Sequence, residues 1–131
     1  MDDTYLAIQV VMMPRDTNPH GTIFGGVLLS YIDQAGAIGA RHVIAGMGGP
    51  LPQVVTVAMN RVEFKKPVLV GDVVRFLTRP VRVGRTSITM HVAVEAERGR
   101  DVLQVTEAEV VYVGLDPNSP EPRPVPLLPG R

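Results

Sequence analysis

From about Val27 to Ile44 the chain is compatible with a single helix and is almost entirely apolar. A helix that is apolar on most sides must be covered on most sides. Val27, Leu28, Leu29, Tyr31, Ile32, Ala35, Ala37, Ile38, Ala40, Val43 and Ile44 leave no wide polar stripe to face water. Gly36 and Gly39 fall inside the run, each costing about 1 kcal/mol relative to Ala in a helix interior. Close backbone approach by a neighbouring element is the usual compensation. Gly46-Met-Gly-Gly-Pro-Leu-Pro52 ends the run. At 131 residues the chain makes one domain, so the cover has to come from its own remaining segments.

Those segments read as strands. Residues 5–13 form an apolar run closed by Pro14, and residues 14–26 are a loop rich in Pro, Asn, Asp and Gly. Residues 53–64 alternate on Val55, Val57 and Met59, then change parity to Val62 and Phe64, which predicts a bulge near Asn60-Arg61. Turns at Val70-Gly-Asp-Val and Val83-Gly-Arg85 bound a strand over 73–83. Thr86 to Ala96 alternates on Ile88, Met90, Val92 and Val94. Arg98-Gly-Arg-Asp101 predicts a hairpin into a last strand, 102–113. The order predicts an α+β fold: one long central helix wrapped by a curved antiparallel sheet of about five strands. Residues 115–131 hold six of the twelve prolines and form no regular element. The reading is a domain over 1–116 and a Pro-rich tail over 117–131, either lying along the body or hanging free.

Composition excludes several functions. Thirteen basic and thirteen acidic residues give zero formal charge, so no overall electrostatic footprint calls for nucleic acid or an anionic membrane. Apolar stretches break well before the ~20 residues needed to span a bilayer. The N-terminus lacks a basic flank and cleavage site, and a cytoplasmic location is expected. The absence of cysteine rules out disulfides, thiolate ligands and a cysteine nucleophile. There is no P-loop, no G-x-G-x-x-G and no G-x-S-x-G elbow.

The helix carries one carboxylate, Asp33, whose neighbours one turn away are Leu29, Ser30, Gly36 and Ala37. None can pair with it. A carboxylate buried alone raises its pKa instead of staying ionised, which suits a general base or nucleophile; a structural Asp hydrogen-bonded to a loop fits the position too. Gly25-Gly26 opens the helix, where unpaired N–H groups and the dipole favour a ligand oxygen, although a tight loop-to-helix turn needs the same residues. Asp33 lies seven residues beyond Gly26, about 10 Å along the axis. A bridging water or a second chain has to close that gap. Asn18, in its Pro-flanked loop, suits orienting a water or a carbonyl, but most such residues make Asx turns, and turn chemistry is the preferred reading. His20 reads as a surface loop residue, His42 as structural near the helix C-terminus, and His91 as solvated. Lys65, Lys66 and Arg85-Thr86-Ser87 sit at strand ends and turns, where they serve either as phosphate or pantetheine contacts or as solvated groups. No His spacing suggests a metal, and no cofactor is expected.

Met13-Pro-Arg-Asp-Thr-Asn-Pro-His-Gly-Thr-Ile-Phe-Gly-Gly and Ile32-Asp-Gln-Ala-Gly-Ala resemble the YciA-type acyl-CoA thioesterases of the hotdog superfamily. These are single-domain bacterial relatives of brain acyl-CoA hydrolase. Val54-Val-Thr-Val, Phe64-Lys-Lys-Pro, Val70-Gly-Asp-Val-Val and Val83-Gly-Arg-Thr-Ser match in order and spacing, so the resemblance runs from about residue 6 to 116. It implies a hotdog fold, homodimers as the minimal unit and commonly a trimer of dimers. It implies hydrolysis of acyl-CoA to free acid and CoA, the CoA being part of the substrate. Asp33 would match the catalytic acid and Asn18 its partner from across the dimer interface. Amides near Gly25 and Gly26 would polarise the thioester, and CoA would run toward Lys66, Arg85, Thr86 and Ser87. The segment Gly46–Pro52 is insertion-like against the family pattern, which bears on acyl-chain preference. Two rival functions stand beside hydrolysis: a hotdog hydratase or dehydratase using His20 with Asp33, and a non-catalytic acyl-CoA-binding module.

Overall fold

The computed structural model describes residues 3–49 and 53–128. Five antiparallel strands, β1 (Tyr5–Val11), β2 (Gln53–Phe64), β3 (Val73–Val83), β4 (Ser87–Arg98) and β5 (Asp101–Leu115), form one sheet in the order β1-β3-β4-β5-β2. The helix α1 (Gly25–Gly46) lies across it, with Leu28, Ile32, Ala35, Gly36, Gly39, Ala40 and Ile44 buried. Opposite them are Phe76, Met90, Val92, Val94, Val110 and Tyr112, all fully buried. This is the wrapped-helix arrangement that the apolar run required. The two helix glycines face the sheet: a Cβ on Gly36 would strike the Tyr112 hydroxyl, and one on Gly39 the Thr78 side chain.

Most elements fall within two or three residues of their sequence-predicted bounds, and β2 and β3 match them. The face of β2 does not. Its register on β5 slips between Asn60 and Glu63, where Arg61 adopts φ 54°, as the parity change foretold, but it also slips between Thr56 and Ala58. The inward residues are therefore Val54, Met59 and Val62, with Thr56 directed at the helix, while Val57 is 56% exposed. Pro50–Pro52, part of the insertion-like segment, lie outside the described residues.

The Pro-rich segment lies along the body. Val125 N–H donates to the Gly114 carbonyl at 2.9 Å, Leu127 N–H to the Arg85 carbonyl at 3.0 Å, and Asp116 N–H to the Arg123 carbonyl at 3.0 Å. Leu127 itself is fully buried. It closes the end of the core beside Ile44 and Gly49, at the C-terminus of α1.

Candidate active site

The loop before α1 is a miniature hairpin. Thr17 bridges Ile23, and Asn18 N–H donates to the Thr22 carbonyl at 2.7 Å. The Asn18 side chain holds the turn: Oδ1 accepts from the N–H groups of His20 and Thr22, and Nδ2 donates to Thr22 Oγ1. Asn18 is thus the Asx turn that its position suggested. His20 is exposed. Phe24 N–H donates to the Asp16 carbonyl at 2.9 Å and Ile23 N–H to the Val68 carbonyl at 2.9 Å, which fixes where the helix begins.

α1 starts with no side-chain cap and no acidic residue in its first turn. Val27 and Leu28 N–H both reach the Phe24 carbonyl, leaving the Gly25 and Gly26 amides at the positive end of the helix dipole. Beside them opens a cleft of about 320 Å³ lined by Ile23, Gly25, Leu28, Phe64, Lys65, Lys66, Pro67 and Val68. The Phe64 ring lies over Gly25, where a Cβ would stand 3.3 Å from it. Lys65 pairs with Glu107 at 3.3 Å; among the described residues Lys66 pairs with no carboxylate. The cleft wall is pinned from behind. Arg98 donates to both carboxylate oxygens of Asp72, at 3.0 and 2.8 Å, and to the Pro67 carbonyl at 3.1 Å. Asp72 also accepts from Leu69 N–H. Burial alone would raise the Asp72 pKa, but the Arg98 and Leu69 bonds and the guanidinium charge outweigh it and hold the carboxyl below its ordinary value.

Asp33 sits two turns into α1 and is half-buried in the single chain, more open than the apolar run implied. Its missing partner comes from the sheet: Thr56 donates to Oδ1 at 2.6 Å. Tyr112, paired across the strands with Thr56, donates its phenol O–H to the Asp33 carbonyl at 2.6 Å. Sequence reading missed both residues. The bulge at Val57 hid Thr56, and the pattern of the last strand does not single out Tyr112. Asp33 faces β2, an outer strand with one edge unpaired.

Arg85, Thr86 and Ser87 lie at the other end of the molecule. Thr86 accepts from Gly114 N–H, whereas Lys66 donates its N–H to Val105. Nine residues of β5 separate these contacts, on the order of 30 Å of strand. One chain does not bring Lys66 and Arg85 together. His91 is not simply solvated: it is largely covered and stands 3.4 Å from Glu107. Lys65 first, and His91 after it, draw the Glu107 pKa down against the opposing effect of burial.

Residues 20–103 match the Thioesterase superfamily. The chain belongs to that superfamily, and within it to the YciA-type hotdog proteins. It is 38% identical to the acyl-CoA thioester hydrolase YciA of Salmonella typhimurium, covering 97% of this chain and 96% of that protein. A hexameric hotdog-fold thioesterase of Campylobacter jejuni superposes with a TM-score of 0.80 at 41% identity, covering 92% and 89% of the two chains. The acyl-CoA hydrolase of Staphylococcus aureus, solved with butyryl-CoA, CoA and CoA disulfide, superposes with a TM-score of 0.76 at 28% identity, covering 95% and 72%. Two alanine mutants of that enzyme, one at an Asn and one at an Asp fifteen positions further on, have also been solved. Among the described residues no helix is long and apolar enough to cross a membrane.

Proposed function

We propose that this protein hydrolyses acyl-CoA thioesters, releasing a free acid and CoA, with Asp33 as the reacting carboxylate. The observation that carries the reading is Asp33 itself, the one acid of a nearly apolar helix, held by Thr56 at the open edge of the sheet. Its spacing from Asn18 is that of the two residues mutated in the Staphylococcus enzyme. Asp33 takes a proton from the attacking water, or attacks the thioester carbon itself to give a mixed anhydride that water then cleaves. In either route the C–S bond breaks and sulfur leaves as thiolate, to be protonated. The Gly25 and Gly26 amides hold the oxyanion at the dipole's positive end.

The site uses two chains. Asp33 lies about 10 Å along the helix from the Gly26 amide, and Lys66 and Arg85 stand at opposite ends of one subunit. A second copy joined along the free edge of β2 brings its own helix start and loop 17–23 to Asp33, making the homodimer the minimal unit. The hexameric Campylobacter relative supports a trimer of such dimers. A cytoplasmic location fits the substrate.

Free-thiol release from a panel of acyl-CoAs, short to long chain, tests the reading with wild type and Asp33→Asn side by side. The chain has no cysteine, so thiol reagents meet no protein background. Release that collapses in the variant is expected. Acyl-CoA binding without release would leave a binding module, and wild-type rates in Asp33→Asn would remove Asp33 from the chemistry.

A further inference from the structure

We propose that Tyr112 is a positioning residue for Asp33, its phenol seated on the hydrogen-bond ladder of α1 at the turn that carries the carboxylate. The proposal rests on the reading of Asp33 above. The geometry begins with register. Tyr112 pairs with Thr56 across β5 and β2, so two neighbouring hydroxyls approach the same residue. Thr56 takes the carboxylate at 2.6 Å, and Tyr112 takes the main-chain carbonyl at 2.6 Å. In a regular helix the Asp33 carbonyl is served by the N–H of Ala37 alone. Here the phenol O–H is a second donor to the same carbonyl.

Three features show that the seat is built for the hydroxyl. Gly36 is the residue that would close it, because any Cβ there would collide with the phenol oxygen. Its helix-propensity cost of about 1 kcal/mol is thereby explained. Tyr112 is fully buried, and a buried phenol needs a partner. The phenol also stays a donor, since burial, with the Asp33 carboxylate beside it, pushes its pKa well above the ordinary value. A strand hydroxyl bonded to a helix carbonyl fixes that turn of the helix against the sheet. It therefore sets where the Asp33 carboxylate stands relative to Thr56 and to the oxyanion amides. Thr56 lies on an outer strand; Tyr112 ties the same residue to β5, which is paired on both sides.

Tyr112→Phe keeps the ring and removes only the hydroxyl. With a short acyl-CoA, kcat is expected to fall about tenfold while KM stays within about twofold, the pattern of a displaced reacting group. Val94→Ala, another buried strand substitution, is the comparison: it lowers the melting temperature but leaves kcat unchanged when assayed well below its transition. Should Tyr112→Phe not fold, Gly36→Ala carries the same test, since it keeps the phenol but crowds it off the ladder. Wild-type kcat in a folded variant, with Asp33→Asn inactive, overturns the positioning role and leaves Asp33 in place. Wild-type kcat in Asp33→Asn overturns both. A kcat loss no larger than that of Val94→Ala reduces Tyr112 to packing and also overturns the proposal.

Discussion

Leu127→Ala tests whether the Pro-rich segment belongs to the folded body. Leu127 is fully buried although only a few residues from the end of the chain, and three backbone bonds at 2.9–3.0 Å hold the strap around it. Truncating a buried Leu to Ala costs about 2–5 kcal/mol, the spread depending on how far the site collapses. A surface strap has an alternative that a central helix lacks. It can detach, and the cost then stops at the strap's own docking energy. The expectation is therefore the lower half of the range, about 3 kcal/mol. For a chain of this length that is a fall in Tm of about 10 °C. Calorimetry at fixed protein concentration reads it, since assembly makes Tm concentration-dependent. Leu128→Ala, at a half-buried neighbour, should cost under about 1 kcal/mol. If a chain ending at residue 116 and Leu127→Ala both melt within about 2 °C of wild type, the strap contributes nothing and the reasoning fails.

The Asp72–Arg98 pair gives a pH dependence with a defined sign. The folded Asp72 carboxyl is held below its ordinary value, so the pair's stabilisation is complete above the unfolded pKa of about 3.9 and is lost as pH falls through the folded one. The Tm gap between wild type and Arg98→Met should be widest near neutrality, begin to narrow below about pH 4 and close as pH falls further; a gap indifferent to pH contradicts the assignment. Gly39→Ala overpacks Thr78 and is expected to destabilise by about 1–3 kcal/mol despite its propensity gain. A more stable variant would show that the helix does not lie that close to β3. Thr56→Val removes the donor to Asp33 Oδ1 and should lower kcat several-fold with little change in Tm, because the residue is exposed; steady-state kinetics and a melt decide it together.

The apolar run, its two glycines and the strand parities carry the fold openly, because burial leaves a periodic record in sequence. Gly36 and Gly39 even announced that something would lie close, though not that it would be Tyr112 and Thr78. The site was legible only where it coincided with a local anomaly: a lone acid in an apolar helix, a Gly-Gly at a helix start. Thr56 was not, since its inward direction depends on a bulge at Val57 that leaves the apolar pattern Val55-Val57-Met59 intact on paper. Tyr112 was hidden in a different way. A tyrosine at a core position reads as volume, and its bond to a helix carbonyl seventy-nine residues away is a product of how α1 packs on β5. Asp72 and Arg98 likewise looked like turn residues until the sheet brought β4 behind the cleft wall.

Sharing of the site between chains is open to a test that needs no structure of the complex. Asn18 and Asp33 sit in different elements, the first engaged in its own loop and the second facing the unpaired edge of β2. If each site takes Asn18 from one subunit and Asp33 from the other, Asn18→Ala and Asp33→Asn each disable every site in their own homodimer. Unfolded and refolded together in equal amounts, half the dimers are mixed, and each mixed dimer holds one site with neither lesion. Activity should then return to about a quarter of wild type, as the two-fold symmetry of an isologous dimer dictates. A site contained within one chain regains nothing, since every chain in the mixture carries a lesion. The loop role of Asn18 does not blur the result. The restored site draws its Asn18 from the subunit whose loop is intact and its Asp33 from the subunit whose helix is intact. Recovery near a quarter therefore speaks for two residues acting on one substrate across the interface, and no recovery confines the chemistry to a single subunit.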